Sequence, residues 1–162
     1  MATTYKSAQV LNGYPVRGNW RGACFDCYGT ITPGSAALND IYQLVLVPNG
    51  FMVTDIAIDI AGTGLDTGTA LVWSFGDATT PARFITGATV GRSSAGGIQF
   101  PNVGGTYGYQ YPLGQGGQFG GGNAGATILQ IKITTAATTF VAGTAIVAMV
   151  QMYQDPQLGG YT

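Results

Sequence analysis

Apolar and polar side chains alternate with a period of two through the middle of this chain. In residues 51–61, FMVTDIAIDIA, the side chains of Ile56, Ile58 and Ile60 fall on one face of an extended chain and aspartates fall on the other. Such a pattern is typical of a β-strand that is buried on one side. Related patterns predict further strands at 41–47, 69–75, 127–135 and 144–153, with weaker candidates at 28–32, 88–92 and 96–100. The sequence therefore predicts an all-β fold.

The composition favours the same conclusion. Charged residues make up 8% of the 162 residues, and the sequence contains neither glutamate nor histidine. A helical bundle is excluded, because its solvent-facing surfaces need Glu, Lys, Gln and Arg. One short helix is predicted at 79–87, where Thr80 can cap the start and Pro81 can occupy the first turn. The length suits one domain, so we expect a single β-sandwich with a core that includes Leu44, Leu46, Ile56, Ile58, Leu71, Trp73, Ile131, Ile133, Val147 and Met149.

Two segments differ in composition from the rest of the chain. Residues 1–27 carry three basic residues against one aspartate, a local net charge of +2, and show no clear period. We expect an extended N-terminal arm there, which finds its contacts on another subunit and precedes a sandwich domain at 28–162. Residues 104–126 are rich in glycine and tyrosine and predict a long loop. Aromatic and basic side chains are typical of interfaces, so the predicted partner contacts are Tyr5, Lys6, Tyr14, Arg17, Trp20, Arg21, Tyr107, Tyr109 and Tyr111.

The sequence lacks the residues on which most catalytic and nucleic-acid-binding sites depend. Without histidine, general acid–base chemistry and zinc binding lose their usual side chain. Six basic residues against seven aspartates give a net charge of −1 and no basic footprint for nucleic acid. The polar start, MATTYKSAQ, is unlike a signal peptide, and no apolar stretch has the length of a membrane span. We therefore expect no enzymatic activity, no cofactor, no metal ion, and neither nucleic acid nor membrane as a partner.

Cys24 and Cys27 form a C-x-x-C motif, the residues CFDC. A structural zinc site needs four ligands, and the chain has no other cysteine and no histidine to complete one. A redox motif usually opens a helix that follows a strand, and no helix is predicted behind this one. Buried or inactive thiols are therefore favoured, with redox chemistry or pairing between subunits as the alternative.

The aspartates and serines have a chemical interpretation beside the structural one. Asp55 and Asp59 lie four residues apart on one predicted strand, about 13 Å, which exceeds the roughly 5–9.5 Å between the carboxyl groups of glycosidases. Asp66 and Asp77 with loop carbonyls leave a calcium site open as the alternative to ordinary turn aspartates. The Ser93-Ser94 pair has no histidine to act as a base.

Residues 36–92 carry a recognisable order of strands and turns. AALNDIYQLVLVPNGFMVTDIAIDI holds a strand, a P-x-G turn and a long strand with outward aspartates. GLDTGTALVWSFGDATTPARFITGATVG continues with a strand that ends in Gly-Asp before an R-F-I-x-G turn. A glycine-rich loop and two closing strands follow. In this order the chain resembles the head decoration, or cement, proteins of tailed bacteriophages.

The resemblance implies a β-sandwich of the jelly-roll type and a structural role in a virion. Such a protein would sit on the capsid surface, bind the major capsid protein and bridge neighbouring subunits, after assembly in the host cytoplasm. Strands that are apolar on both faces also predict a homo-oligomer, with a trimer favoured over a dimer. The alternative is a carbohydrate- or receptor-binding sandwich module of a phage particle, in which Tyr107, Tyr109 and Tyr111 stack on sugar rings.

Overall fold

The computed structural model describes residues 2–12, 17–18, 24–47, 51–103, 111–113 and 127–154. These residues form one helix, α1 (Ala8–Asn12), and eleven strands. The strands are β1 (Thr4–Lys6), β2 (Arg17–Gly18), β3 (Cys24–Ile31), β4 (Ile41–Val47), β5 (Phe51–Ile60), β6 (Val72–Gly76), β7 (Ile85–Ala88), β8 (Gly97–Gln99), β9 (Tyr111–Leu113), β10 (Thr127–Thr135) and β11 (Ile146–Gln154). Within these ranges, no helix has the length and apolar character needed to cross a membrane.

The strands form two sheets with a shared hydrophobic core. Sheet A has the order β1-β4-β10-β6-β7. Sheet B has the order β2-β3-β11-β5-β8, and β9 pairs with another part of β5. Buried apolar side chains from both sheets belong to one cluster between them. The prediction of an all-β sandwich is confirmed.

Eight of the strands follow the connectivity of a jelly roll. β3 pairs with β11, β4 with β10, β5 with β8 and β6 with β7, and all four pairs are antiparallel. The first of these eight strands thus pairs with the last, the second with the seventh, and so on inward. The pairings of β11 with β5 and of β10 with β6 join the four pairs into two sheets. This is the double-sheet arrangement of a jelly roll.

The buried faces agree with the predicted alternation in β5 but not in β11. Ile58 of β5 is fully buried, whereas Val147 and Met149 of β11, both predicted in the core, are only partly buried. Because β11 is apolar on both faces, its own pattern does not tell which face is inward. The register decides, since Ala148 pairs with Ile58 and shares its inward face. The buried residues of β11 are Ile146, Ala148, Val150 and Met152.

The segment predicted as a short helix is instead a turn. The backbone N–H groups of Thr79 and Thr80 donate to the Asp77 carboxylate at 2.8 and 2.7 Å. Arg83 forms an ion pair with the same carboxylate. Because Asp77 takes up these donors, the chain reverses direction and β7 pairs with β6, earlier than the strand predicted at 88–92.

Gln130 of β10 is buried, although the alternation of its strand predicts a solvent-facing side chain. It pairs in register with Gly76 of β6 on the outer face of sheet A. The turn after β6 folds back over this position, since a Cβ at Gly76 would lie 2.2 Å from the Thr80 carbonyl oxygen. The outer face of sheet A is therefore covered beside Gln130.

The weak strand candidate at 28–32 belongs to a full core strand, β3, which begins at Cys24. From Asp26 to Ile31 its residues alternate between exposed and buried, with Cys27 and Gly29 buried and Tyr28 exposed. At Gly29 the two sheets approach closely, because a Cβ there would lie 1.9 Å from the Leu44 carbonyl oxygen of β4. Only glycine fits between the two backbones at this position.

Candidate functional site

The described part of the N-terminal segment packs along one side of its own sandwich. β1 adds a parallel strand to the edge of β4, and the ring of Tyr5 meets that of Tyr42 edge-on, with 5.6 Å between ring centroids. The Tyr5 hydroxyl lies 3.0 Å from Ser35 Oγ. The N–H group of Thr3 donates to the Asp40 carboxylate at 2.7 Å. These contacts attach residues 3–5 to sheet A.

The helix α1, which the sequence pattern did not predict, bridges the two sheets. It lies against β3 of sheet B and β4 of sheet A, and the side chain of Val10 in the helix is buried. The Ser7 hydroxyl caps the helix, accepting the N–H of Val10 at 3.2 Å while it donates to the Leu44 carbonyl. The expectation that residues 1–27 find their contacts only on another subunit therefore fails for residues 2–12. A domain boundary after residue 27 would also fall inside β3.

The nine predicted partner contacts are only partly covered by the described structure. Tyr5 is half-buried against the core, and Lys6 is exposed on sheet A. Arg17 pairs with Asp26 at the edge of sheet B, and Tyr111 begins β9; both side chains lie outside the description. The remaining five also lie outside the described residues, namely Tyr14, Trp20, Arg21, Tyr107 and Tyr109. The assignment of all nine to an interface stays a prediction.

Asp66 is a structural carboxylate at the centre of a loop network. It is fully buried and accepts backbone N–H groups from Gly68 at 2.9 Å, Leu71 at 3.1 Å and Thr139 at 3.0 Å. Burial by itself would raise the pKa of Asp66, but the backbone donors outweigh it and lower the pKa to about 2. Its oxygens therefore serve the loop backbone and hold the ionised form at neutral pH.

The candidate chemical residues do not come together. Asp66 and Asp77, considered for a calcium site, belong to separate hydrogen-bond networks. Asp55 and Asp59 lie four residues apart along β5. Among the described residues, no group of three or more aspartate or cysteine side chains is placed to hold a metal ion.

Cys27 is a free thiol in the core of sheet B. It is 4% exposed, and burial raises the pKa of its thiol to about 11. A thiol with so high a pKa is a poor nucleophile at neutral pH, because only the thiolate reacts. The position of Cys27 agrees with the interpretation of a buried, inactive thiol, and the side chain of Cys24 lies outside the description.

The outer face of sheet B exposes apolar side chains in a regular pattern. One cross-strand row holds Tyr28, Met149 and Ala57, and the next holds Val147 and Ile98. Tyr28 is 60% exposed and Ile98 is 51% exposed, while the other three are partly buried. We call the outward residues of β3, β11, β5 and β8 the sheet B face.

Three aspartates border these apolar residues on the sheet B face. Asp26 and Asp55 flank Gln151 in one row, and Asp59 lies between Val147 and Ile98 in another. The Gln151 side chain lies 3.4 Å from Asp26 and 3.3 Å from Thr54. A shallow depression of about 220 Å³ lies between the row of Gln151 and the row of Met149. The face therefore combines apolar side chains with aspartates that lie beside and between them.

Topology and packing together define this chain as a jelly-roll β-sandwich, and solved structures share the fold. A chain in the capsid of Ralstonia phage GP4 superposes with a TM-score of 0.71 at 17% identity, over 94% of this chain and 99% of that chain. A chain in the capsid asymmetric unit of cyanophage Pam1 has a TM-score of 0.62 at 20% identity, over 88% of this chain and 93% of that chain. No family model and no curated protein sequence matches this chain.

Proposed function

We propose that this protein is a non-enzymatic structural component of a bacteriophage virion. In this proposal it binds the outside of the capsid and cements neighbouring major capsid protein subunits. The supporting observation is the fold match along nearly the whole of both chains, 94% of this chain and 99% of the GP4 capsid chain. Because both chains are covered almost completely, the counterpart is itself a capsid chain of about the same small size.

The construction of the sandwich suits a protein whose task is to bind and stay rigid. β1 and β2 extend the sheets beside β4 and β3. At the other side of sheet A, the Asn102 side-chain oxygen accepts the backbone N–H of Thr86 at 2.8 Å. The Asn102 side-chain NH₂ group donates to the backbone carbonyl of Thr86 at 2.9 Å. This side-chain amide thereby occupies backbone groups at the edge of β7. Protected edges disfavour uncontrolled pairing between copies, so that contacts through the faces can dominate.

A cement function needs binding energy and no chemistry. A ligand that binds only the assembled lattice stabilises it by mass action, about 2.7 kcal/mol per site at a hundredfold excess over the dissociation constant. We propose that the copies associate as a homo-oligomer, with a trimer favoured over a dimer. Several modest contacts then act together on the lattice. The major capsid protein is the proposed partner, and the virion surface is the proposed location.

The test uses heads prepared without this protein from the phage that encodes it. Purified full-length protein is added, and co-sedimentation and the melting temperature of the heads are measured. We expect saturable binding and a higher melting temperature, with heads of an unrelated phage as the control. An electron cryomicroscopy map of the decorated heads then gives position and copy number. Absence of saturable binding, or density only inside the shell, would contradict the proposal.

A further inference from the structure

We propose that the sheet B face is the surface that docks on the capsid. Its occupant is a surface segment of the major capsid protein that carries lysine or arginine next to apolar side chains. This inference rests on the proposed function and adds which side of the sandwich makes the contact. It follows from the placement of exposed apolar residues and from the excess of aspartates on sheet B.

Exposed apolar side chains concentrate on and beside the sheet B face. Among the described residues, the large apolar side chains that are more than half exposed include Tyr28 and Ile98 on this face. Phe100 directly follows β8 and is 54% exposed. The others, Leu11 and Leu38, lie on α1 and in the loop before β4. A grouped apolar patch with a polar rim marks an interaction surface, whereas single exposed residues do not.

The described charged residues leave an excess of negative charge on sheet B. Asp40, Asp66 and Asp77 are buried in hydrogen-bond networks, which leaves Asp26, Asp55 and Asp59 on the sheet B face. Of the basic residues, Arg83 pairs with Asp77 and Arg92 donates to the carbonyls of Ala70 and Leu71. Lys6 and Lys132 follow the register of sheet A and lie on its outer face. Arg17 of β2 pairs in register with Asp26 at the edge of sheet B. Three aspartates against one arginine leave this sheet with net negative charge, so a basic partner complements it.

A second copy of this chain fits the sheet B face less well than a basic partner does. Two such faces in contact would bring the aspartates of both copies together, and like charges in an interface are costly. The outer face of sheet A carries Lys6 and Lys132, but Ser74 and Gln130 between its strands are each only 4% exposed. That face is covered at its centre, and none of its described large apolar side chains is more than half exposed, as Tyr28 and Ile98 are.

The first test measures the affinity of full-length variants for the undecorated heads. The variant Asp55→Lys/Asp59→Lys reverses charge on the face, and Thr134→Lys adds a lysine to an exposed strand position of sheet A as its control. Ile98→Ser removes apolar surface from the face, and Leu38→Ser removes a side chain of similar exposure, 54%, elsewhere. We expect the charge reversal to lower affinity at least tenfold and Ile98→Ser several-fold, with both controls within twofold of wild type.

Salt and oligomeric state separate the alternatives. Wild-type affinity should fall as salt rises, and the charge-reversed variant should lose this dependence. If wild type itself does not bind heads, the proposed function fails. If wild type binds and both face variants bind equally well, the docking face is wrong while the proposed function stands. If light scattering shows that the charge reversal dissociates an oligomer of the free protein, the occupant is a second copy and the proposal is overturned.

A second measurement uses only wild-type protein, so it does not depend on whether a variant folds. Hydroxyl-radical footprinting compares the oxidation of Tyr28 and Met149 in free and head-bound wild-type protein. We expect strong protection of Tyr28, which is 60% exposed in the free chain, and unchanged oxidation of Leu38. Equal oxidation of Tyr28 in the two states would overturn the assignment of the docking face.

Discussion

Replacing Gly29 with alanine tests a close approach between the backbones of the two sheets. The added Cβ would lie 1.9 Å from the carbonyl oxygen of Leu44 and 2.5 Å from its carbonyl carbon. Favourable contacts between heavy atoms lie near 3.5–4.0 Å, so β3 and β4 must separate by more than about 1 Å. The obstacle is backbone in a paired strand, which cannot rotate away as a side chain can. We therefore expect a loss at the upper end of the range for overpacking, about 3 kcal/mol.

The assay is a thermal and urea unfolding comparison of Gly29→Ala with wild type and with Gly34→Ala. For a chain of this size about 1 kcal/mol corresponds to about 2–4 °C, so the melting temperature should fall by about 6–12 °C. At Gly34 a Cβ would meet the Tyr5 hydroxyl at 3.4 Å, an ordinary contact, and the change should stay within about 0.5 kcal/mol. If Gly29→Ala has the same melting temperature as wild type, the close packing of β3 on β4 is refuted.

Three further outcomes follow from single buried groups. Ile58→Asp should prevent folding, because an unpaired buried charge costs several kcal/mol and the free energy of unfolding of a domain is only about 5–15 kcal/mol. Ala57→Asp on the outward face should fold, and circular dichroism of the two variants tests this. Because the pKa of Asp66 is lowered in the folded state, its ionised form stabilises the fold at pH values above the ordinary pKa of 3.8. This contribution is lost as the pH falls toward about 2. Asp66→Asn should therefore lower the melting temperature at pH 7 and flatten its decline between about pH 4 and 2; a parallel decline would contradict this role. Cys27 should resist alkylation at pH 8 until urea unfolds the chain, as read by peptide mass mapping, and rapid labelling of the native protein would show that the thiol is accessible.

Strands with a clear alternation could be predicted from the sequence, and strands without one could not be oriented. The pattern of Ile56, Ile58 and Ile60 marks one inward face, because each intervening residue is polar or small. In β11 both faces are apolar, and only pairing with β5 makes Ala148 inward and Met149 outward. The sheet B face could not be recognised from the sequence either, because only strand pairing assembles it. Its residues come from β3, β5, β8 and β11, which are far apart in sequence and adjacent only through sheet pairing.

The N-terminal segment shows how local composition can be misinterpreted. Its aromatic and basic residues are typical of an interface, and no local periodicity indicates that they pack on their own chain. In the structure, Tyr5 meets Tyr42 and Ser7 meets Leu44, more than thirty positions away. Local patterns do not encode such contacts, because the partner strand supplies both the hydrogen-bond groups and the apolar surface.

The sequence by itself determined the class of fold, since its period-two patterns and its few charged residues favour β-structure around one core. It also determined that the chain has no histidine and no glutamate with which to assemble common active sites. Only the tertiary structure decided the jelly-roll pairing of first strand with last, and the separation of aspartates on sheet B from lysines on sheet A. The physical reason is that alternation specifies which side chains avoid water, while long-range strand pairing specifies which of them become neighbours.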